Sequence, residues 1–147
     1  MKKFRFALRT VQNYKESLLE NLRLEHAAIL AEIARQEQVI AALEREKDLI
    51  REELNERNAQ GISPFELVNY QRYMRVLQTD IDKKYALLEK TKKAEEAKRE
   101  ELIEMKKETA SLEKLKEKKL EEYHHMANKA QEQFIEEFVS YSKYAEQ

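Results

Sequence analysis

The sequence predicts an all-α fold, an antiparallel two-helix coiled-coil hairpin with a longer second helix. Three observations carry this. The only glycine and the only proline of 147 residues fall within one nine-residue stretch, Asn58 to Glu66. Apolar residues on both sides of it recur at alternating steps of 3 and 4, the period of a coiled-coil seam. The composition is 39% charged, 8% aromatic and free of tryptophan, too polar to fill a compact core and typical of long paired helices.

The turn is expected at residues 58–63. Gly61 can take the left-handed conformation that ends a helix. Ser63 can cap the next helix by accepting the backbone N–H of Glu66. Pro64 fits the first helical position, where no N–H is needed. Glu66 can reach back to the N–H of Ser63 and complete a capping box. No second turn signal exists, which argues against a bundle of three or more helices.

Helix one is expected from about 4 to 57. Its seam reads Leu19, Leu22, His26, Ile29, Ile33, Gln36, Ile40, Leu43, Lys47, Ile50 and Leu54. His26, Gln36 and Lys47 interrupt the apolar run, and polar seam residues weaken a coiled coil while fixing its register. Upstream lies a denser apolar patch of Phe4, Phe6, Leu8, Val11, Tyr14 and Leu18.

Helix two is expected from about 64 to 144. Its seam begins Leu67, Tyr70, Met74, Leu77, Ile81, Lys84 and Leu88. It passes polar Thr91, Glu95 and Lys98, recovers at Leu102, Met105, Thr109 and Leu112, and continues later at Tyr123, Met126 and Ala130. The segment from Glu89 to Glu101 reads as a solvated, weakly packed stretch of helix, supported by pairs such as Glu89–Lys93 and Glu95–Arg99 at about 0.2–0.5 kcal/mol each.

At ~1.5 Å per residue, helix one would run roughly 80 Å and helix two roughly 120 Å. Folding back at Gly61 sets Phe4 opposite about Leu115 to Lys119. The rest of helix two, with Tyr123, Met126, Phe134, Ile135, Phe138, Val139, Tyr141 and Tyr144, then has no partner helix in the chain. An exposed apolar stripe of this kind marks an interface. Its occupant is either another protein or a second copy of the chain.

Chemistry is excluded on several counts. With one glycine there is no phosphate-cradling G-x-x-x-x-G-K-[ST] loop. His124 and His125 are adjacent, so on a helix they diverge by about 100° and cannot share an ion as an i, i+4 pair does. The carboxylates lie on exposed helix surface, without the burial that tunes a general acid or base. Two paired helices form no pocket of substrate size. No enzyme activity, cofactor or metal is expected, and no direct small-molecule ligand.

The net charge of -1, with cations and acids interleaved, builds no positive field for nucleic acid. Absence of cysteine excludes disulfides and thiolate chemistry. The basic N-terminus has no apolar run behind it, so no secretory signal is expected, and no stretch reaches the ~20 apolar residues of a membrane span. Lys2, Lys3, Arg5 and Arg9 with Phe4, Phe6 and Leu8 could lie on an anionic surface. The stretch is short, however, and packing against helix two is the use expected of it.

The residues also resemble a known family. The F-x-F-x-L-x-x-V-x-x-Y-K-E of Phe4–Glu16 is similar to the opening of the flagellar export protein FliJ. Gly61-Ile62 followed by Asn69-Tyr70-Gln71-x-Tyr73 resembles that family's G-I and N-Y-Q-x-aromatic stretch. Leu112 to Lys118, before Tyr123, resembles its C-terminal half. Gln131 to Phe138 resembles its E-Q-K-x-x-D-E-h ending, with Glu136 where Asp is usual. The order and spacing of these stretches cover nearly the whole chain.

The resemblance implies a cytosolic, non-hydrolysing component of the flagellar type III secretion apparatus, peripheral to the inner membrane at the flagellar base. Members look like the central-stalk gamma subunit of rotary ATPases. They bind the hexameric export ATPase, the cytosolic domain of the export gate membrane protein, and export chaperones. On that implication the gate side would use Leu43, Ile50, Tyr70, Gln71, Tyr73 and Leu77. The ATPase ring would take Phe4, Phe6, Leu8, Val11, Tyr123, Met126, Phe134, Ile135, Phe138 and Tyr141. A structural tether that homodimerises through the C-terminal overhang is the other reading.

Overall fold

A computed structural model describes residues 2–146. Two helices form, α1 over Arg9–Gln60 and α2 over Pro64–Glu146, and they pack against each other as an antiparallel hairpin. The three residues between them make the turn. Gly61 has φ +97°, the only positive φ among the described residues. Its N–H donates to the Asn58 carbonyl at 3.4 Å. Ser63 Oγ accepts the Glu66 N–H at 3.2 Å, and Pro64 opens α2 as its first residue.

The second half of the expected capping box does not close. The Glu66 carboxylate instead lies 3.7 Å from the Arg57 guanidinium. That pair sets an acid at the N-terminus of α2 and a cation at the C-terminus of α1, each on the favourable end of its helix dipole.

Contacts divide the chain into two units. One joins the N-terminal stretch up to Asn21 with α2 from Leu102 onward; the other is Leu22–Glu101. In the Leu22–Glu101 unit the predicted seam holds throughout, and every seam residue on both helices is at least half-buried. Ile40, Leu77, Ile81 and Leu88 are its buried apolar core. Each such side chain contributes about 1.5–3 kcal/mol on leaving water.

The polar interruptions of α1 meet polar residues of α2. His26 Nε2 lies 2.9 Å from Glu95 Oε1, Gln36 Nε2 donates to Thr91 Oγ1 at 3.0 Å, and Lys47 Nζ donates to Gln78 Oε1. Lys98 Nζ donates to Glu25 at 2.8 Å, and this bond holds the Lys98 ammonium above its ordinary range. The stretch from Glu89 to Glu101 is therefore tied across the seam at Thr91, Glu95 and Lys98 rather than simply solvated.

Three tyrosines of α2 also reach across to glutamates of α1. Tyr70 donates to Glu53 at 2.9 Å, Tyr85 to Glu44 at 2.7 Å, and Tyr73 to Glu46. Partial burial and the Glu53 carboxylate push the Tyr70 phenol up. For Tyr73 and Tyr85 the bonded carboxylate is the main cause of the same shift.

In the other unit the expected start of helix one is corrected. Residues 2–6 are not helical, and α1 begins at Arg9 rather than near Phe4. Phe4 and Phe6 both turn to α2 while Arg5 between them is exposed. Residues two apart share a side in extended chain but diverge by about 200° on a helix. Packing both rings on α2 therefore excludes helix here. The Phe6 carbonyl accepts the Arg9 N–H at 3.1 Å, where the helix starts. Leu19 and Leu102 are buried, as is Gln12, whose Nε2 donates to Glu113 at 2.7 Å.

Two outcomes test this account. A Cβ added at Gly61 meets nothing within 4 Å, so Gly61→Ala is resisted by backbone strain alone. It should cost about 1 kcal/mol in urea unfolding, as should loss of the cap in Ser63→Ala; no change in either would contradict the turn geometry. The raised phenols make the second test. A raised folded-state value favours the protonated form, so the contribution is whole below about pH 10 and disappears as pH rises through the folded value. Ultraviolet titration should place Tyr73 and Tyr85 above free tyrosine, and Glu44→Gln with Glu46→Gln should bring both back down. Unmoved midpoints would mean the bridges are absent in solution.

Candidate interaction surfaces

Within the Leu22–Glu101 unit, a shallow groove of 320 Å³ lies beside the turn. It is lined by Ile50, Arg57, Glu66, Asn69, Tyr70 and Tyr73. The capped start of α2 positions it: within about three helical turns of Pro64, Tyr70 sits on the seam and Tyr73 just outside it. Tyr73 is 41% exposed, with its hydroxyl held by Glu46. One face of its ring is thus fixed in place and open.

Of the six residues expected to serve the gate, Ile50, Tyr70 and Tyr73 line this groove. Gln71 is exposed but lies outside it, and Leu43 is half-buried on the seam. Leu77 is 6% exposed and belongs to the core between the helices. Its seam position leaves it no surface to offer, so it is not a contact residue. Arg57, Glu66 and Asn69 were not expected here. Their signal was the capping stretch itself, whose polar side chains have to lie somewhere around the turn.

In the other unit, the non-helical arm and α2 frame a groove of 530 Å³. Phe4, Phe6 and Leu8 form one side; Leu115, Tyr123 and Met126 form the other, with Arg5 and Lys119 at its edge. The Phe4 and Tyr123 rings are 5.7 Å apart and tilted, and the Tyr123 hydroxyl donates to the Lys2 carbonyl at 2.6 Å. Phe6 is buried, whereas Val11 faces outward. The basic N-terminal residues thus pack on α2 through their apolar neighbours, the use expected of them.

Past this groove α2 has nothing over it. Every residue from Asn128 to Tyr141 is exposed, and Phe134, Phe138 and Tyr144 reach 69%, 63% and 80%. Ile135 and Tyr141 are exposed with them. The ring-facing residues expected from sequence therefore fall into two groups. Phe4, Phe6, Leu8, Tyr123 and Met126 come together at the groove, and Phe134, Ile135, Phe138 and Tyr141 continue along the bare helix.

Sequence reasoning missed a further set of exposed apolar residues. Phe65, Val68 and Val76 lie on the outer side of α2, and Leu24 and Leu49 on the outer side of α1. Counting steps of 3 and 4 on the face opposite each seam would have found them.

Among the described residues no helix is long and apolar enough to cross a membrane, and no group of three or more His, Cys, Asp or Glu is placed to hold a metal ion. His124 and His125 are exposed, and the His124 ring stands edge-on to Tyr123 at 5.7 Å.

No curated protein and no solved structure matches the chain. The family model described as flagellar FliJ protein matches it over residues 4–147. A match of that extent, on a two-helix hairpin with a longer second helix, makes this chain a member of the FliJ family and a component of the flagellar protein export apparatus.

Proposed function

We propose that the protein is a non-enzymatic, stalk-like subunit that binds and stimulates the hexameric export ATPase. Its other end links that ring to the cytosolic domain of the export gate, and it also serves export chaperones. The reading places it in the cytoplasm, peripheral to the inner membrane at the flagellar base.

The observation that carries the proposal is the bare C-terminal part of α2 beside the apolar groove of the arm. A helix gains most of its stability from packing an apolar face, and this one has aromatic residues with nothing packed on them. A hollow ring lined by apolar side chains would cover all sides of such a helix at once. Phe4, Phe6, Leu8, Val11, Tyr123, Met126, Phe134, Ile135, Phe138 and Tyr141 are assigned to that contact. Phe6 supports it from beneath, because its ring is buried. The turn groove is assigned to the gate, with Ile50, Tyr70 and Tyr73 as its apolar wall and Gln71 beside it.

Two outcomes follow. Removing the chain after Lys129 should abolish stimulation of the ATPase and weaken ring binding, while the urea midpoint of the remaining hairpin stays close to that of the full chain. Undiminished stimulation would reject the placement of that end. Tyr73→Ala should weaken binding of the gate's cytosolic domain by roughly tenfold, the scale of one interface aromatic, with helical circular dichroism unchanged. If helicity falls instead, Tyr73 is structural and the gate contact lies elsewhere.

A further inference from the structure

Beside the arm, three cations gather around two rings with no acid among them. A hollow of 360 Å³ between the arm and α2 is lined by Arg5, Arg9 and Lys116 together with Phe4 and Phe6. Arg5 and Arg9 are exposed, and Lys116 is half-buried. Among the described residues none of these three side chains has a hydrogen-bond or ion-pair partner.

The acids of α2 that reach the N-terminal segment or line its groove are engaged elsewhere. Glu108 pairs with Lys15, Glu113 accepts from Gln12, and Glu122 pairs with Lys119. The arm itself carries no acid before Glu16. Arg9 opens α1, whose first turn has no acid either, so the positive end of that helix adds to the same field.

We infer that the hollow receives a carboxylate from an acidic segment of another protein, one with a bulky apolar residue close to the acid. A half-buried ammonium without a counter-charge costs free energy that an arriving carboxylate offsets. The guanidinium forks of Arg5 and Arg9 match the two oxygens of such a group. The apolar residue has its place as well. Phe4, Arg5 and Phe6 line both this hollow and the groove beside Leu115 and Met126, so the two are continuous.

The site is formed before its occupant arrives. Tyr123 holds the Lys2 carbonyl, and Phe6 is buried on α2. Little ordering of the arm is left for the partner to impose.

An anionic membrane fits this arrangement less well. It would engage every cation of the arm, Lys2 and Lys3 included. The hollow instead recruits Lys116 from α2 and sets its charges around rings. With a net charge of -1, the chain builds no broad positive field for an extended polyanion.

This goes beyond the stalk reading, which gives the arm an apolar contact alone. The test uses the full chain and a blocked hexapeptide, Glu-Glu-Phe-Glu-Glu-Phe, in calorimetry. The peptide should bind with a Kd below about 1 mM. Arg5→Ala with Arg9→Ala should weaken binding roughly tenfold, with helical circular dichroism unchanged. Adding Lys116→Gln should weaken it further. Lys2→Ala with Lys3→Ala, on the same arm but outside the hollow, should change it by less than about twofold.

No binding to the natural chain overturns the inference. Equal binding of Gln-Gln-Phe-Gln-Gln-Phe does so too, because the groove would then act without the charges. An equal loss in the Lys2 and Lys3 variant would show diffuse charge in place of a site and refute it. Displacement of the peptide by phosphatidylserine vesicles, or by inorganic phosphate, at the same charge concentration would assign the cations to a lipid surface or a free anion, and so contradict it. No ATPase enters the measurement, so this site and the stalk role can fail independently.

Discussion

Two paired helices share only one face, and this constraint shapes everything else in the molecule. Each helix can bury one stripe against the other and must leave the rest to water or to other proteins. Among the described residues no side chain is fully buried, and the buried apolar set is short. Stability therefore rests on long repetition of a modest contact. A single left-handed residue, Gly61, sets which residues meet. Its backbone reverses the chain, and every cross-helix pair on either side follows from where it does so.

Register is reinforced by chemistry that a purely apolar seam would lack. A run of leucines could slide by one heptad at little cost. Gln36 against Thr91, Lys47 against Gln78 and His26 against Glu95 cannot, because slippage would leave half-buried polar groups facing apolar ones. The tyrosine-to-glutamate bridges act in the same direction from the flank. Specific pairing is what a protein needs if its far end must present a defined face to a partner. Surface position then decides which residues remain available. Tyr73 is anchored by its hydroxyl and open on its ring, while Leu77, one turn on, is enclosed.

The parts legible in the sequence were those set by local chemistry or by a sustained period. Gly61, Ser63 and Pro64 read as stop, cap and start because each is suited to one backbone position. The seam read correctly from Leu19 to Leu54 and from Leu67 to Leu112 because many residues vote for the same phase; beyond it Met126 and Ala130, also expected on the seam, are exposed, since α1 no longer covers them. The arm did not read correctly. Phe4, Phe6 and Leu8 alternate with polar or small neighbours, an extended pattern, but it is short and adjoins a long helical one. The availability of Leu77 was misjudged because it lies deep in the seam, whereas Ile50 and Tyr70, seam residues beside the turn, keep part of their surface on the groove. The tyrosine bridges depend on side-chain reach across the seam, which no residue pattern within one helix encodes.

The claim on which the rest turns is that the end of α2 is built to be covered by another protein. Hydrogen exchange on the chain, with and without the hexameric export ATPase, addresses this directly. The account requires the ring to slow exchange in the stretch from Asn128 to Tyr144 and in the arm around Phe4 and Phe6, with little change near Gly61. Protection appearing around the turn instead, with the end of α2 exchanging as fast as before, would contradict it.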